Sequence, residues 1–221
     1  MIMNIQTGTQ SLNFFERLTK SSVWPAYVGC ISAFMYAVFV RFYHAAGGTI
    51  GIPGEMKDPE AIHMGSYIAG VAILFCGLAL IALIKPWSRI VPMNIPVGGR
   101  RIHPLLLLTP TLIGAAFLIA HGVSGIITRI LLLVGFIELD FPGFIKIDVR
   151  ELALWELMFY EPWFVFMGIM AGLTSAHYAQ ASQVKQTIFR LGTIFYLVIV
   201  LLLTALFVLS IIYDFVDKIS F

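Results

Sequence analysis

Five stretches of the chain run for twenty or more residues without an Asp, Glu, Lys or Arg. They are Ser21–Val40, Met64–Ile84, Pro104–Thr128, Pro162–Val184 and Leu191–Tyr213, and polar or Pro/Gly-rich segments flank each of them. A hydrocarbon core about 30 Å thick needs roughly 20 apolar residues at a rise of about 1.5 Å each. Every stretch is too long for a core strand, and none shows the short alternating pattern of an outer-membrane barrel strand. The pattern predicts an all-α integral membrane bundle of five transmembrane helices, at about 21–44, 64–84, 104–128, 159–184 and 191–213. They form one domain, 21–213, between a polar lead, 1–20, and a short tail, 214–221.

Composition agrees. Of 221 residues 59% are hydrophobic and 12% charged, against roughly 25% charged in an average soluble domain, and the mean hydropathy is +0.92. A soluble globule of this size has too much surface to hide so much apolar side chain. A disordered chain, a disulfide scaffold and a nucleic-acid partner are excluded on the same grounds. The lead has no basic region followed by a short apolar core, so the first helix is expected to act as an uncleaved anchor.

The charges between spans set an orientation. Arg17 and Lys20 precede the first span; Lys85, Arg89, Arg100 and Arg101 follow the second; Lys185 and Arg190 follow the fourth. The intervening segments carry Glu55, Asp58 and Glu60 against Lys57, and Glu138, Asp140, Asp148, Glu151, Glu156 and Glu161 against Lys146 and Arg150, with Arg129 at the edge. The basic bias alternates at every crossing, so the positive-inside rule predicts a cytoplasmic N-terminus and an outside C-terminus. Eleven of the 12 acidic residues then face outward. Trp24 and Trp87 fall near the inner interface, and Trp155 and Trp163 near the outer one. The apolar run from Pro104 to Phe136 is long for one crossing. The reading adopted ends the helix near Thr128, lays Ile130–Phe136 along the outer interface and turns at Phe141-Pro142-Gly143.

Candidate chemistry gathers at the outer leaflet. Arg41 and His44, three residues apart on one helix face, close the first span. His121 lies about 25 Å into the third, Arg129 at its rim, and Glu156, Tyr160 and Glu161 open the fourth. Ionisable groups at this depth usually face the bundle interior or a wet cavity. One reading is a polar pocket in which Arg41, His44, His121, Arg129 and Tyr160 bind an anionic or lipid headgroup, with Glu156 or Glu161 as catalytic acid/base. The other is structural: Arg41 or Arg129 pairs with Glu156 or Glu161, or snorkels to phosphates.

The remaining motifs carry less. No cofactor is expected; a haem between His44 and His121, or between His103 and His177, is the alternative. No metal site is expected, because Cys30 and Cys76 sit at apolar depth as packing residues. Gly98-Gly99-Arg100-Arg101 reads as a cytoplasmic turn facing anionic lipid. The glycines of Ala46-Gly47-Gly48-Thr49-Ile50-Gly51-Ile52-Pro53-Gly54 read as a compact turn rather than a phosphate cradle. Gly65, Gly70, Gly77 and Gly114 suit helix–helix contact.

Two segments, Tyr43-His44-Ala45-Ala46-Gly47-Gly48-Thr49-Ile50-Gly51-Ile52-Pro53 and Leu157-Met158-Phe159-Tyr160-Glu161-Pro162-Trp163, resemble the signatures of an uncharacterised family of small bacterial membrane proteins. That family is a domain of unknown function with about four transmembrane helices. The resemblance spans roughly Trp24 to Tyr178. It departs at His44, where the family has tryptophan, and in the extra span Leu191–Tyr213. It implies a bacterial cytoplasmic membrane and no activity. The expectation is a multi-pass, non-enzymatic accessory, protective or lipid-binding protein, its partners membrane lipids and either a membrane protein or a second copy. An integral-membrane enzyme acting on a lipid or isoprenoid is the alternative, and transport ranks third.

Overall fold

Proline and short acids mark where the helices begin. Pro25, Pro59 and Pro104 each occupy a first turn, where the missing N–H costs nothing. Asp58 and Asp148 accept from the backbone N–H groups of Ala61 and Glu151, at 3.0 and 2.9 Å, satisfying donors that the helix itself leaves unpaired. The computed structural model describes residues 12–85, 90, 99 and 102–213. The lead up to residue 11, Trp87, Arg89, Gly98, Arg100, Arg101 and the tail 214–221 lie outside the described residues.

Five helices are long and apolar enough to cross a membrane: α2 (Trp24–Ala45), α3 (Pro59–Ile84), α4 (Pro104–Leu133), α5 (Val149–Ala181) and α6 (Gln186–Ile212). A short helix, α1 (Phe14–Ser21), precedes them. The loops after α2 and α4 meet at one end as a two-stranded antiparallel sheet, β1 (Gly54–Met56) with β2 (Phe144–Ile147). The chain is a helical membrane bundle. Helix α5 is its centre and contacts every other helix, while α3 lies on α2 and α6 on α4. Only 6% of the most apolar window of α6 is buried, which makes it the least buried of the five.

Apolar helices gain nothing by leaving lipid for one another, so small residues that let backbones close up decide where they pack. A Cβ on Gly122 of α4 would lie 2.7 Å from the Glu161 carbonyl and 2.9 Å from the Val165 nitrogen of α5. One on Gly168 of α5 would lie 3.0 Å from the Ile119 nitrogen. Gly70 and Gly77 of α3 meet Phe42 and Ala33 of α2 in the same way. Gly65 and Gly114, expected to make such contacts, face open space.

Three expectations are corrected. Helix α4 does not stop near Thr128 but continues through Arg129 to Leu133, and Ile130–Leu133 are helical rather than interfacial coil. Gly135, at φ +77°, then ends it with the Phe136 and Gly135 N–H groups donating to Leu131 and Leu132 carbonyls, a C-terminal arrangement that suits glycine. Helix α5 begins at Val149, ten residues before the expected start at 159. The polar lead contains α1, signalled by a reciprocal capping box between Asn13 and Glu16. Glu16, 1% exposed, accepts from Arg190 Nε at 2.5 Å and Gln186 Nε2 at 3.0 Å of α6. These donors hold its carboxyl down at about 2. On α5, His177 Nδ1 donates to the Thr19 carbonyl at 2.8 Å.

The glycine contacts give a direct test. Gly122→Val should destabilise the bundle by about 1–3 kcal/mol, the usual cost of overpacking, whereas Gly114→Ala should be neutral or slightly stabilising. Thermal unfolding in a mild detergent reads both, and equal effects would contradict the close approach.

Candidate functional site

The polar residues of the sheet end are arranged by two π-helical turns. In α2 the segment Ala37–Phe42 is π-helical, and in α5 so is Glu156–Tyr160. Residues five apart lie about 140° apart around an α-helix, and the wider turn of i to i+5 bonding brings them nearer to one face. The first turn therefore stacks Arg41 over Tyr36, with the guanidinium carbon 5.5 Å from the ring centroid. The second brings Glu161 beneath Glu156, and the Glu161 N–H donates to the Glu156 carbonyl. Single-turn π segments recur at functional sites. Here each one delivers a charged side chain to the same interior.

The charges are not equally answered. Arg129 of α4 forms an ion pair with Glu156 of α5, and its guanidinium also lies 5.8 Å from the Phe141 ring centroid. That pair is the structural alternative raised for these residues, and it removes Arg129 as a free anion ligand and Glu156 as a free base. Glu161 is buried against Gly125 of α4, where a Cβ would come 2.1 Å from the carboxyl carbon. Its Oε2 has no hydrogen-bond partner among the described residues, the nearest cationic candidate being His121 Nε2 at 3.9 Å. Arg41 Nε is likewise buried and without a hydrogen-bond partner among the described residues.

The histidines have separate duties. His44, 6% exposed, donates from Nε2 to the Ile50 carbonyl at 3.0 Å. Tyr160 Oη donates to the same oxygen at 3.4 Å, so one carbonyl of the glycine-bearing loop is held from both α2 and α5. Gly51 follows at φ +82°, and a Cβ there would lie 2.0 Å from Tyr160 Oη. The glycine segment is thus a turn seated on the bundle. His121 stacks on Phe117 and meets Phe164 edge-on. The Nε2 of His44 is thus committed to a backbone carbonyl. His103 Nδ1 accepts from the Leu105 N–H at the start of α4, and His177 Nδ1 is bound to the Thr19 carbonyl. No group of three or more metal-ligating side chains occurs among the described residues.

Sequence reasoning placed Arg41, Arg129, Glu156, Tyr160 and Glu161 at one end of the bundle, and the structure brings them together there. It missed Tyr36, which lies deep in an apolar run. No protein-family model matches the chain, and no curated protein or solved structure matches it either.

The ion pair can be tested by a double-mutant cycle. Arg129→Gln and Glu156→Gln should each cost about 3–5 kcal/mol, because each strands a buried charge. The double variant should recover part of that loss in detergent unfolding, and simple additivity would mean no pairing.

Proposed function

We propose that the protein is a lipid-binding membrane protein of a bacterial cytoplasmic membrane, non-enzymatic, with its headgroup site in the polar cluster under the β1–β2 sheet. The observation that carries this reading is the pair of buried atoms Arg41 Nε and Glu161 Oε2, each without a hydrogen-bond partner among the described residues, with the Arg41 guanidinium resting on the Tyr36 ring. An ionisable group at membrane depth is costly unless partnered, and the adjacent Arg129–Glu156 pair satisfies its own charges. A headgroup with an anionic oxygen for Arg41 and a hydrogen-bond donor for Glu161 would meet both needs. An apolar groove of about 500 Å³, lined by Val28, Ile31 and Met35 of α2 and Met158, Pro162 and Phe166 of α5, flanks the second π turn and would take an acyl chain.

The orientation proposed is N-terminus inside. Among the described residues, the α1 end carries Arg17, Lys20, Lys85, Lys185 and Arg190 with Glu16, while the sheet end carries the acids from Glu55 to Glu151 against Lys57, Lys146 and Arg150. The positive-inside rule then turns the sheet and the headgroup site outward. A second reading, an enzyme acting on a lipid or isoprenoid, is favoured by the approach of His121 to Glu161, which sets a base beside an acid.

Native mass spectrometry of the protein purified in mild detergent tests the leading reading. A phospholipid should be retained by the wild type, and Arg41→Gln or Glu161→Gln should lower its retention about tenfold or more while the protein stays folded. Retention unchanged in both variants would refute the site, and conversion of the bound lipid by wild type but not Glu161→Gln would favour the enzyme. For the orientation, a periplasmic reporter fused after Tyr213 should be active, and activity at Pro96 instead would invert the topology.

A further inference from the structure

Toward the α1 end, α5 and α6 face each other without closing. Helix α6 leans on α4 and scarcely touches α5, and the gap is a cavity of about 580 Å³ walled by α4, α5 and α6 with Phe15 of α1 at its edge. No Asp, Glu, Lys or Arg lines it. This is a different site from the polar cluster, on different helix faces.

Two hydroxyls on its walls stand out. Ser175 of α5 is 0% exposed, and its Oγ has no hydrogen-bond partner among the described residues; the same holds for Oη of Tyr196 of α6. Helical hydroxyls in lipid usually return to a carbonyl one turn back. The neighbouring Thr174 does so to Met170 at 2.8 Å, and Thr193, also on the cavity wall, to Phe189 at 2.9 Å. Ser175 and Tyr196 do not. Tyr196 Oη lies 3.8 Å from where a Cβ of Gly172 would stand, one turn before Ser175, so the two hydroxyls reach the same stretch of α5.

A buried hydroxyl left unpaired is unfavourable and calls for an explanation. A water bridging the two hydroxyls would have only the minimum of partners a buried water wants and would leave most of the roughly 580 Å³ unfilled. The volume falls in the ~300–1,000 Å³ range of small-molecule sites, which combine apolar walls with a few convergent polar groups. Absence of lining charge argues against a carboxylate, a phosphate or an amine. A carbonyl oxygen has two lone pairs and can accept from both hydroxyls.

We propose that this cavity binds a neutral lipid whose polar end is a carbonyl, with Ser175 Oγ and Tyr196 Oη donating to that oxygen and the hydrocarbon filling the space between α4, α5 and α6. A quinone and an acyl ester share this chemistry.

The test uses the full chain, delipidated in mild detergent, with its melting temperature titrated by decylubiquinone, methyl oleate and octadecane. At least one carbonyl probe should raise the melting temperature saturably while octadecane does not. Response to decylubiquinone alone identifies a quinone ring, to methyl oleate alone an acyl ester, and to both a carbonyl in general. The double variant S175A/Y196F should shift half-saturation at least about tenfold. Gly192→Phe, placed where a Cβ meets open space, should abolish the response, and it carries the test if the double variant does not fold. Arg41→Gln should leave the response intact, which separates this site from the headgroup site. The proposal is overturned if neither carbonyl probe outperforms octadecane. It is equally overturned if S175A/Y196F melts higher than wild type without probe and responds to probe unchanged, as an empty cavity would.

Discussion

A charged side chain at membrane depth has no water to turn to, so its partner must come from the protein, and that demand shapes the backbone around it. Arg129 would end α4 if it had to reach solvent. Paired with Glu156, it lets the helix run on to Leu133. Glu161 can enter the interior only because Gly125 presents no side chain where the carboxyl lies. Gly122 and Gly168 bring the backbones of α4 and α5 close enough for both arrangements. Since α5 touches every other helix, this one seam positions the rest: α2 and α3 on one flank, α6 on the other, and α1 clasped across the far end.

The π-helical turns follow from the same demand. In a regular α-helix Tyr36 and Arg41, or Glu156 and Glu161, would point in different directions, and one of each pair would face lipid. A turn with i to i+5 bonding brings them nearer to one face and keeps both inside. The two turns sit at the same end, where β1 and β2 join the loops and Ile50 accepts from His44 and Tyr160 together. A rigid lid of loop and sheet over buried charge is thus built from residues that a linear pattern reads as an ordinary turn.

The spans were legible because twenty apolar residues in a row are a large and redundant signal. Their ends were not, wherever a charge was hidden by pairing: Arg129 looked like a rim residue, and Glu156 fell outside the expected fourth helix. Helix α1 was written in the capping box of Asn13 and Glu16, but its partners, Gln186 and Arg190, lie 170 and more residues away. The shared helix face assigned to Arg41 and His44 rested on α-helical spacing, and no residue signature announces a π turn. Which arginine meets which glutamate depended on that geometry, so the sequence left it open. Ser175 and Tyr196 are unremarkable in a string of apolar residues. Their lack of partners is a property of three dimensions alone.

The two ends of the bundle treat polar groups differently, and the contrast separates scaffold from site. Glu16 is surrounded by donors from Asn13, Gln186 and Arg190, which leaves it no capacity for anything else. That clasp fastens α1 and holds the start of α6 near α5. Beyond it α6 diverges onto α4, and the cavity with its idle hydroxyls opens where the clasp no longer acts. At the sheet end, Arg129 and Glu156 are likewise spent on each other, while Arg41, over the Tyr36 ring, and Glu161 each keep one buried atom without a hydrogen-bond partner among the described residues. In both places the saturated group anchors the backbone, and the unsaturated one lies just past it, held by packing in a position its own hydrogen bonds would not select. Unmet hydrogen-bonding capacity beside a saturated anchor is what a binding site requires: donors and acceptors fixed in advance, waiting for the ligand to complete them.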